Sequence, residues 1–106
     1  DSSCGGLTEA KRITALSSTK GVKVIPHTWG SGIAFFTAIN FISNLEPIPG
    51  RLYQEDAYIE YDRTENKIRE NIIKNNIVMK DGYIEVNTKP GLGIDVDETY
   101  LNKVKI

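Results

Sequence analysis

The sequence predicts an α/β fold built on consecutive βα units. Two runs rich in β-branched and aromatic residues, VKVIPH (22–27) and YIEYD (58–62), are each followed by a helical pattern. Further on, Asp81-Gly82 stands between two β-prone runs, IVMK and YIEV, which is the signature of a tight hairpin. The 106 residues, 40% hydrophobic and 25% charged, suffice for one small domain of ordinary globular composition.

The first expected element is a helix within GGLTEAKRITALSSTKG (5–21). Thr8 is its N-cap, Glu9 suits the positive helix N-terminus, and Leu7, Ala10 and Ile13 recur at helical spacing. Gly21 supplies the stop. The strand at 22–27 ends at Pro26, which has no N–H to give a ladder. The TWGSG turn leads, with Ser31 as cap, into a nearly all-apolar helix at 33–45 that must be buried on more than one side. EPIPG (46–50) is a stiff loop, and RLYQEDA carries the chain to the second strand at 58–62. Thr64 is expected to cap a third helix in RTENKIRENIIKNN (63–76), with Ile68, Ile72 and Ile73 on one face. The hairpin, a Pro-Gly-rich bend and a mixed tail complete the chain.

Composition excludes several classes. A net charge of −1 gives no basic field for nucleic acid or an anionic membrane. The longest apolar stretch, GIAFFTAINFISNL (32–45), is too short for a bilayer and is interrupted by Thr37, Asn40, Ser43 and Asn44. No signal-peptide pattern is present. One cysteine, Cys4, cannot form a disulfide within the chain, and one Cys with one His falls short of a structural zinc site. A reducing, cytoplasmic setting is expected. The chain opens on DSSCGGLTEA, which reads as a strand-to-helix loop with no strand before it. Two βα units make a poor sheet alone, so a piece of something longer is expected, with neighbouring strands upstream.

The sole histidine, His27, closes the first strand, and Glu60 lies near the end of the second, between Ile59 and Tyr61. In barrels of βα units, chemistry sits at the C-terminal ends of the strands. A carboxylate buried at Glu60 needs partners. A satisfied structural histidine and a solvent-facing glutamate account for the same residues. Gly30 and Gly32 fit a tight strand-to-helix turn, and their spacing matches no phosphate-binding loop. Cys4 is either an inert thiol or, at a helix N-terminus, a reactive one.

Four motifs then add up. CGGLTEAKRI, VIPHTWGSGIA, YIEYDRTEN and DGYIEV…PGLGIDVDE follow in that order. Together they resemble the C-terminal part of the enolase superfamily, in the mandelate racemase and muconate lactonizing enzyme group, over nearly the whole chain. The resemblance implies a C-terminal fragment of a (β/α)8, TIM-like barrel. Residues 1–76 would run from the end of strand six through helix eight. Residues 77–106 would form a hairpin and tail returning toward a capping domain. The family's chemistry removes the proton next to a carboxylate and stabilises the enediolate with Mg²⁺.

On matching positions, His27 would be the strand-seven histidine, a general base or a general acid toward a leaving hydroxyl. Glu60 would be the strand-eight glutamate, donating, when protonated, to the substrate carboxylate. Trp29 would wall the pocket. The family's histidine is held by an aspartate usually five residues before the first glycine of a GG pair, whereas Asp1 stands four before Gly5. Either Asp1 is that partner across a shorter loop, or a residue upstream is. The Mg²⁺ carboxylates belong to strands three to five, so no metal ligand is expected in this chain. Expected partners are the capping domain, barrel strands one to six, a small carboxylate substrate and, when complete, further copies in a homo-oligomer. Dehydration of a sugar acid is the leading reaction; racemisation, epimerisation and lactone cycloisomerisation share its first step. A non-catalytic truncated module is the competing reading from another class.

Energetics bear on independence. Helix 33–45 carries Ile33, Phe35, Phe36, Ile39, Phe41, Ile42 and Leu45, each contributing ~1.5–3 kcal/mol when buried. Two strands cannot cover that surface, so the isolated chain is expected to be insoluble, molten or obligately associated.

Overall fold

The computed structural model describes residues 4–75 and 77–105; Asp1 lies outside them. Its elements are α1 (Leu7–Thr19), α2 (Gly32–Ile42), α3 (Lys67–Asn71), a hairpin of β1 (Met79–Lys80) and β2 (Tyr83–Ile84), and α4 (Glu98–Val104).

α1 starts earlier than Thr8 would set it. Gly6 is the N-cap and makes no side-chain cap bond; its carbonyl accepts from the Ala10 N–H at 3.0 Å. Gly5 and Gly6 have φ of 97° and 91°, a conformation glycine adopts without steric cost, so the backbone enters the helix before Thr8. The helix closes on Gly21 as expected. Val22 N–H donates to Ser17 O and Gly21 N–H to Ser18 O, both at 3.0 Å, the paired bonds of a Schellman motif.

The segments expected as strands lie side by side and parallel. Lys23 Nζ donates to the Asp56 carbonyl at 2.6 Å, and His27 meets Glu60, each across an offset of 33 residues. Neither segment forms a ladder strand among the described residues, which corrects the expected strands at 22–27 and 58–62. Side chains occupy acceptors that a ladder would use. Lys23 takes the carbonyl of Asp56, and the Thr28 hydroxyl takes that of Glu60 at 2.5 Å.

α2 is capped by Ser31, whose hydroxyl accepts from the Ala34 N–H at 3.3 Å. It ends at Ile42, three residues before the apolar run does. Polar side chains at the helix end bond back to its own carbonyls: Ser43 Oγ and Asn44 Nδ2 both reach Asn40 O, at 3.0 and 2.8 Å. Phe35, at 2% exposure, is the most buried large side chain. It forms the core with Phe36, Ile39, Ile72 and Ile73, and its ring lies 5.4 Å from that of Tyr61.

α3 is much shorter than the expected 63–76 helix, and Thr64 does not cap it. Asp62 accepts from both the backbone N–H and the hydroxyl of Thr64, at 2.9 and 2.8 Å, so that hydroxyl is already engaged. Asn66 caps instead, accepting from Arg69 N–H at 3.0 Å. At the other end the tail captures the chain: Asp97 N–H donates to Ile72 O at 2.9 Å and Lys74 N–H to Asp95 O at 2.8 Å. Ile72 and Ile73 are buried, but Ile68, within α3, is 48% exposed and does not join them in the core.

The hairpin forms where Asp81-Gly82 placed it, pairing Met79 with Ile84 and Lys80 with Tyr83. Asp81 and Gly82 both have positive φ, 52° and 83°, as a type I′ turn requires. The mixed tail resolves into α4, capped by Asp97, which accepts from Tyr100 N–H at 2.9 Å. α1 presents Leu7, Ile13 and Leu16 to solvent beside the exposed Val22 and Ile25, an apolar surface this chain does not itself cover. No helix among the described residues is long and apolar enough to cross a membrane.

Candidate active site

The parallel offset places the two strand-end residues against each other. His27 Nδ1 lies 2.5 Å from Glu60 Oε2, with 77% and 53% of the two side chains exposed. Side chains alternate along the first segment, so His27 points outward while its neighbour Thr28 is buried. Trp29 is again outward, at 70% exposure. An ionised carboxylate only accepts, so the neutral ring facing it carries its proton on Nδ1. Nε2 is then the nitrogen with a free lone pair.

The turn after the histidine is held from below. Asn66 Nδ2 donates to Gly30 O at 3.2 Å. A Cβ at Gly32 would stand 2.6 Å from Arg69 O and 2.8 Å from Ile73 Cδ1, so α2 can approach α3 only with glycine there. Arg69 is buried at 5% exposure. Its guanidinium donates to Asp62 Oδ2 at 2.6 Å and also to Thr64 O.

Asp62 is the most displaced acid of the site. The Thr64 N–H, the Thr64 hydroxyl and the Arg69 guanidinium, in that order, lower its pKa from 3.8 to about 2. A depressed carboxyl stabilises the fold fully above its unfolded value and loses that contribution as pH falls through the folded one. Between about pH 4 and 2, the thermal midpoint should therefore fall more steeply for the native protein than for Asp62→Asn. Equal acid slopes would show that this carboxylate does not brace the loop.

At the opposite end of the segments lies a cleft of about 340 Å³ between α1 and the 46–58 connection. Three of its charged groups, Lys23, Arg51 and Glu55, pair with one another. Lys23 sits 4.0 Å over the Tyr58 ring and 3.1 Å from Glu55, and Arg51 bonds Glu55 as well. The hydrogen bond from Lys23 and the charge of Arg51 hold the Glu55 carboxyl below its usual range. Neither His27 nor Glu60 lines this cleft.

The described residues contain no group of three or more His, Cys, Asp or Glu able to hold a metal ion. His27 and Glu60 supply only two donors, spent on each other, and Mg²⁺ requires an octahedron of oxygens. These residues alone do not fit that ion.

Of the residues expected from sequence, the structure brings His27 and Glu60 together, leaves Trp29 beside them, and does not describe Asp1. Sequence reasoning missed Thr28, Asn66 and Arg69. The alternation that exposes His27 was a signal for Thr28. Nothing local announced that Asn66 reaches the carbonyl of Gly30 across 36 positions.

Comparison with known proteins finds relatives along nearly the whole chain. The enolase C-terminal domain-like family matches residues 2–100. D-galactarolactone cycloisomerase of Agrobacterium fabrum is 30% identical over 103 residues, covering 97% of this chain and 27% of that protein. Arabinonate dehydratase of Saccharolobus solfataricus is 25% identical over 101 residues, covering 95% and 25%. The crystal structure of the 3,6-anhydro-D-galactonate cycloisomerase from Zobellia galactanivorans aligns with a TM-score of 0.77 at 39% identity, over 93% of this chain and 26% of that one. The chain thus spans about a quarter of the length of the curated relatives it matches. These relatives are enzymes of a superfamily that is generally Mg²⁺-dependent. With the profile matched along nearly its whole length, the chain belongs to the enolase C-terminal domain-like family, within the enolase superfamily.

Proposed function

We propose that this chain supplies the proton-transfer pair of an enolase-superfamily enzyme acting on a small carboxylate, with dehydration of a sugar acid as its reaction. The 2.5 Å contact between His27 and Glu60 at the open ends of two parallel segments carries the reading. Glu60 Oε2 accepts from Nδ1–H and so turns Nε2 toward the open end as the base. Nε2 takes the proton next to the substrate carboxylate, and Glu60 Oε2, by accepting from Nδ1–H, stabilises the imidazolium that results. The same nitrogen then returns a proton to the departing hydroxyl, which leaves as water. Protonated on Oε1, Glu60 donates to the substrate carboxylate while Oε2 still accepts from the ring. Trp29 walls the pocket. Mg²⁺, held by carboxylates outside this chain, supplies charge stabilisation in the complete enzyme, and the capping domain and remaining barrel strands enclose the substrate. The complete enzyme assembles as a homo-oligomer.

The dehydratase relatives support the reaction. A second reading, lactone cycloisomerisation, is favoured by the 30% identity to D-galactarolactone cycloisomerase over 97% of this chain. The two share proton abstraction and diverge at the second step. The test is to incubate the complete protein and Mg²⁺ with a panel of aldonates, aldarates and their lactones. Appearance of an α-keto acid with loss of water supports dehydration. Isomerisation of lactones without loss of water supports the second reading. Inversion at the carbon next to the carboxylate without loss of water supports racemisation or epimerisation, and no turnover of any kind would leave a non-catalytic module.

A further inference from the structure

We propose that Thr28 and Asn66 are positioning residues that hold His27 and Glu60 in register by clamping the backbone on either side of the pair. This rests on the proton-transfer reading above. An exposed polar contact between two mobile side chains gains too little to hold one geometry against water. The His27–Glu60 pair is such a contact, and no ladder among the described residues ties the two segments together. Something else must fix the offset at this end, and two bonds do so. The Thr28 hydroxyl, buried at the position after His27, donates to the carbonyl of Glu60 itself at 2.5 Å. Asn66 Nδ2 donates to Gly30 O at 3.2 Å, three residues past the histidine, while its Oδ1 accepts from Arg69 N–H at 3.0 Å. Asn66 therefore joins the turn after the first segment to α3, and the buried Arg69 anchors that helix to Asp62 and Thr64. The labour is divided between neighbouring positions. His27 and Glu60 face outward to react, and Thr28 and Asn66 face inward to hold them.

The test separates clamping from general structure. Thr28→Val keeps shape and loses the donor, Thr28→Ser keeps the donor, and Asn66→Asp keeps the α3 cap acceptor while losing the donor to Gly30. In the complete protein, ¹⁵N NMR reads the tautomer of His27 at a pH where the ring is neutral. The resonance is assigned by its loss in His27→Asn. The native protein and Thr28→Ser should show the Nδ1–H form. Thr28→Val and Asn66→Asp should shift toward the Nε2–H form that dominates for free imidazole side chains in water. Where turnover is measurable, kcat should drop by about 10²-fold in Thr28→Val with KM nearly unchanged, and Thr28→Ser should restore it. If Thr28→Val fails to fold, Asn66→Asp carries the test. An unaltered Nδ1–H tautomer in the folded variants would overturn the proposal. The NMR result stands whether or not the native protein turns over sugar acids, so failure of the clamp and failure of the functional reading are told apart.

Discussion

Asparagine in place of His27 should abolish turnover in the complete enzyme, a loss on the order of 10²–10⁴-fold from the general base alone. Asn retains a planar polar side chain but has no nitrogen lone pair of useful basicity, so the α-proton has nowhere to go. The histidine is exposed and its ring stands outside the core cluster, so the fold should not suffer. Far-UV circular dichroism and the thermal midpoint should match the native protein. Mg²⁺ affinity, measured by calorimetry, should be nearly intact, because the ring is not placed to hold the ion. Activity within a few-fold of native would remove His27 from the mechanism and make its contact with Glu60 a surface ion pair.

The second large effect concerns the core. Phe35→Ala should destabilise the protein by roughly 3–5 kcal/mol, the usual cost of emptying a buried phenylalanine site. Phe35 is 2% exposed, and its neighbours come from three separate parts of the chain: Phe36 on α2, Tyr61 at the end of the second segment, and Ile72 and Ile73 after α3. Phe36 is held in α2 and Ile73 in the isolated bridge to Val96, which limits how far these two can collapse into the void. Against a total of ~5–15 kcal/mol for an ordinary domain, the loss is a large fraction. The urea midpoint of the complete protein measures it. A change below ~1 kcal/mol would mean that this ring is not the centre of the packing.

Elements bounded by strong local chemistry were legible. Gly21 ends α1, Ser31 starts α2 and Asp81-Gly82 turns the hairpin, because each answers a demand of its own few residues. The departures arise where a distant or unforeseen partner intervened. Asp62 captured Thr64 and moved the cap to Asn66. The tail took the backbone of Ile72 and Lys74 and stopped α3. Lys23 and Thr28 took carbonyls that parallel strands would have shared. The site divides in the same way. His27 and Glu60 stood out as strand-end polar residues, but their contact depends on an offset that only the folded chain reveals.

That offset also sets where the chain tolerates change in length. It is pinned at one end by Lys23 on Asp56 and at the other by Thr28 on Glu60. The connection from Glu46 to Glu55 passes round the end remote from His27, and Leu52 and Tyr53 on it are almost wholly solvent-exposed. Doubling the length of a flexible loop costs only about 0.6 kcal/mol in closure entropy. A peptide tag or fluorophore handle spliced between Gly50 and Tyr53 would be insulated from His27 and Glu60 by the anchors at Lys23 and Asp56. This bend is therefore the natural grafting point for following assembly of this chain without touching the His27–Glu60 pair.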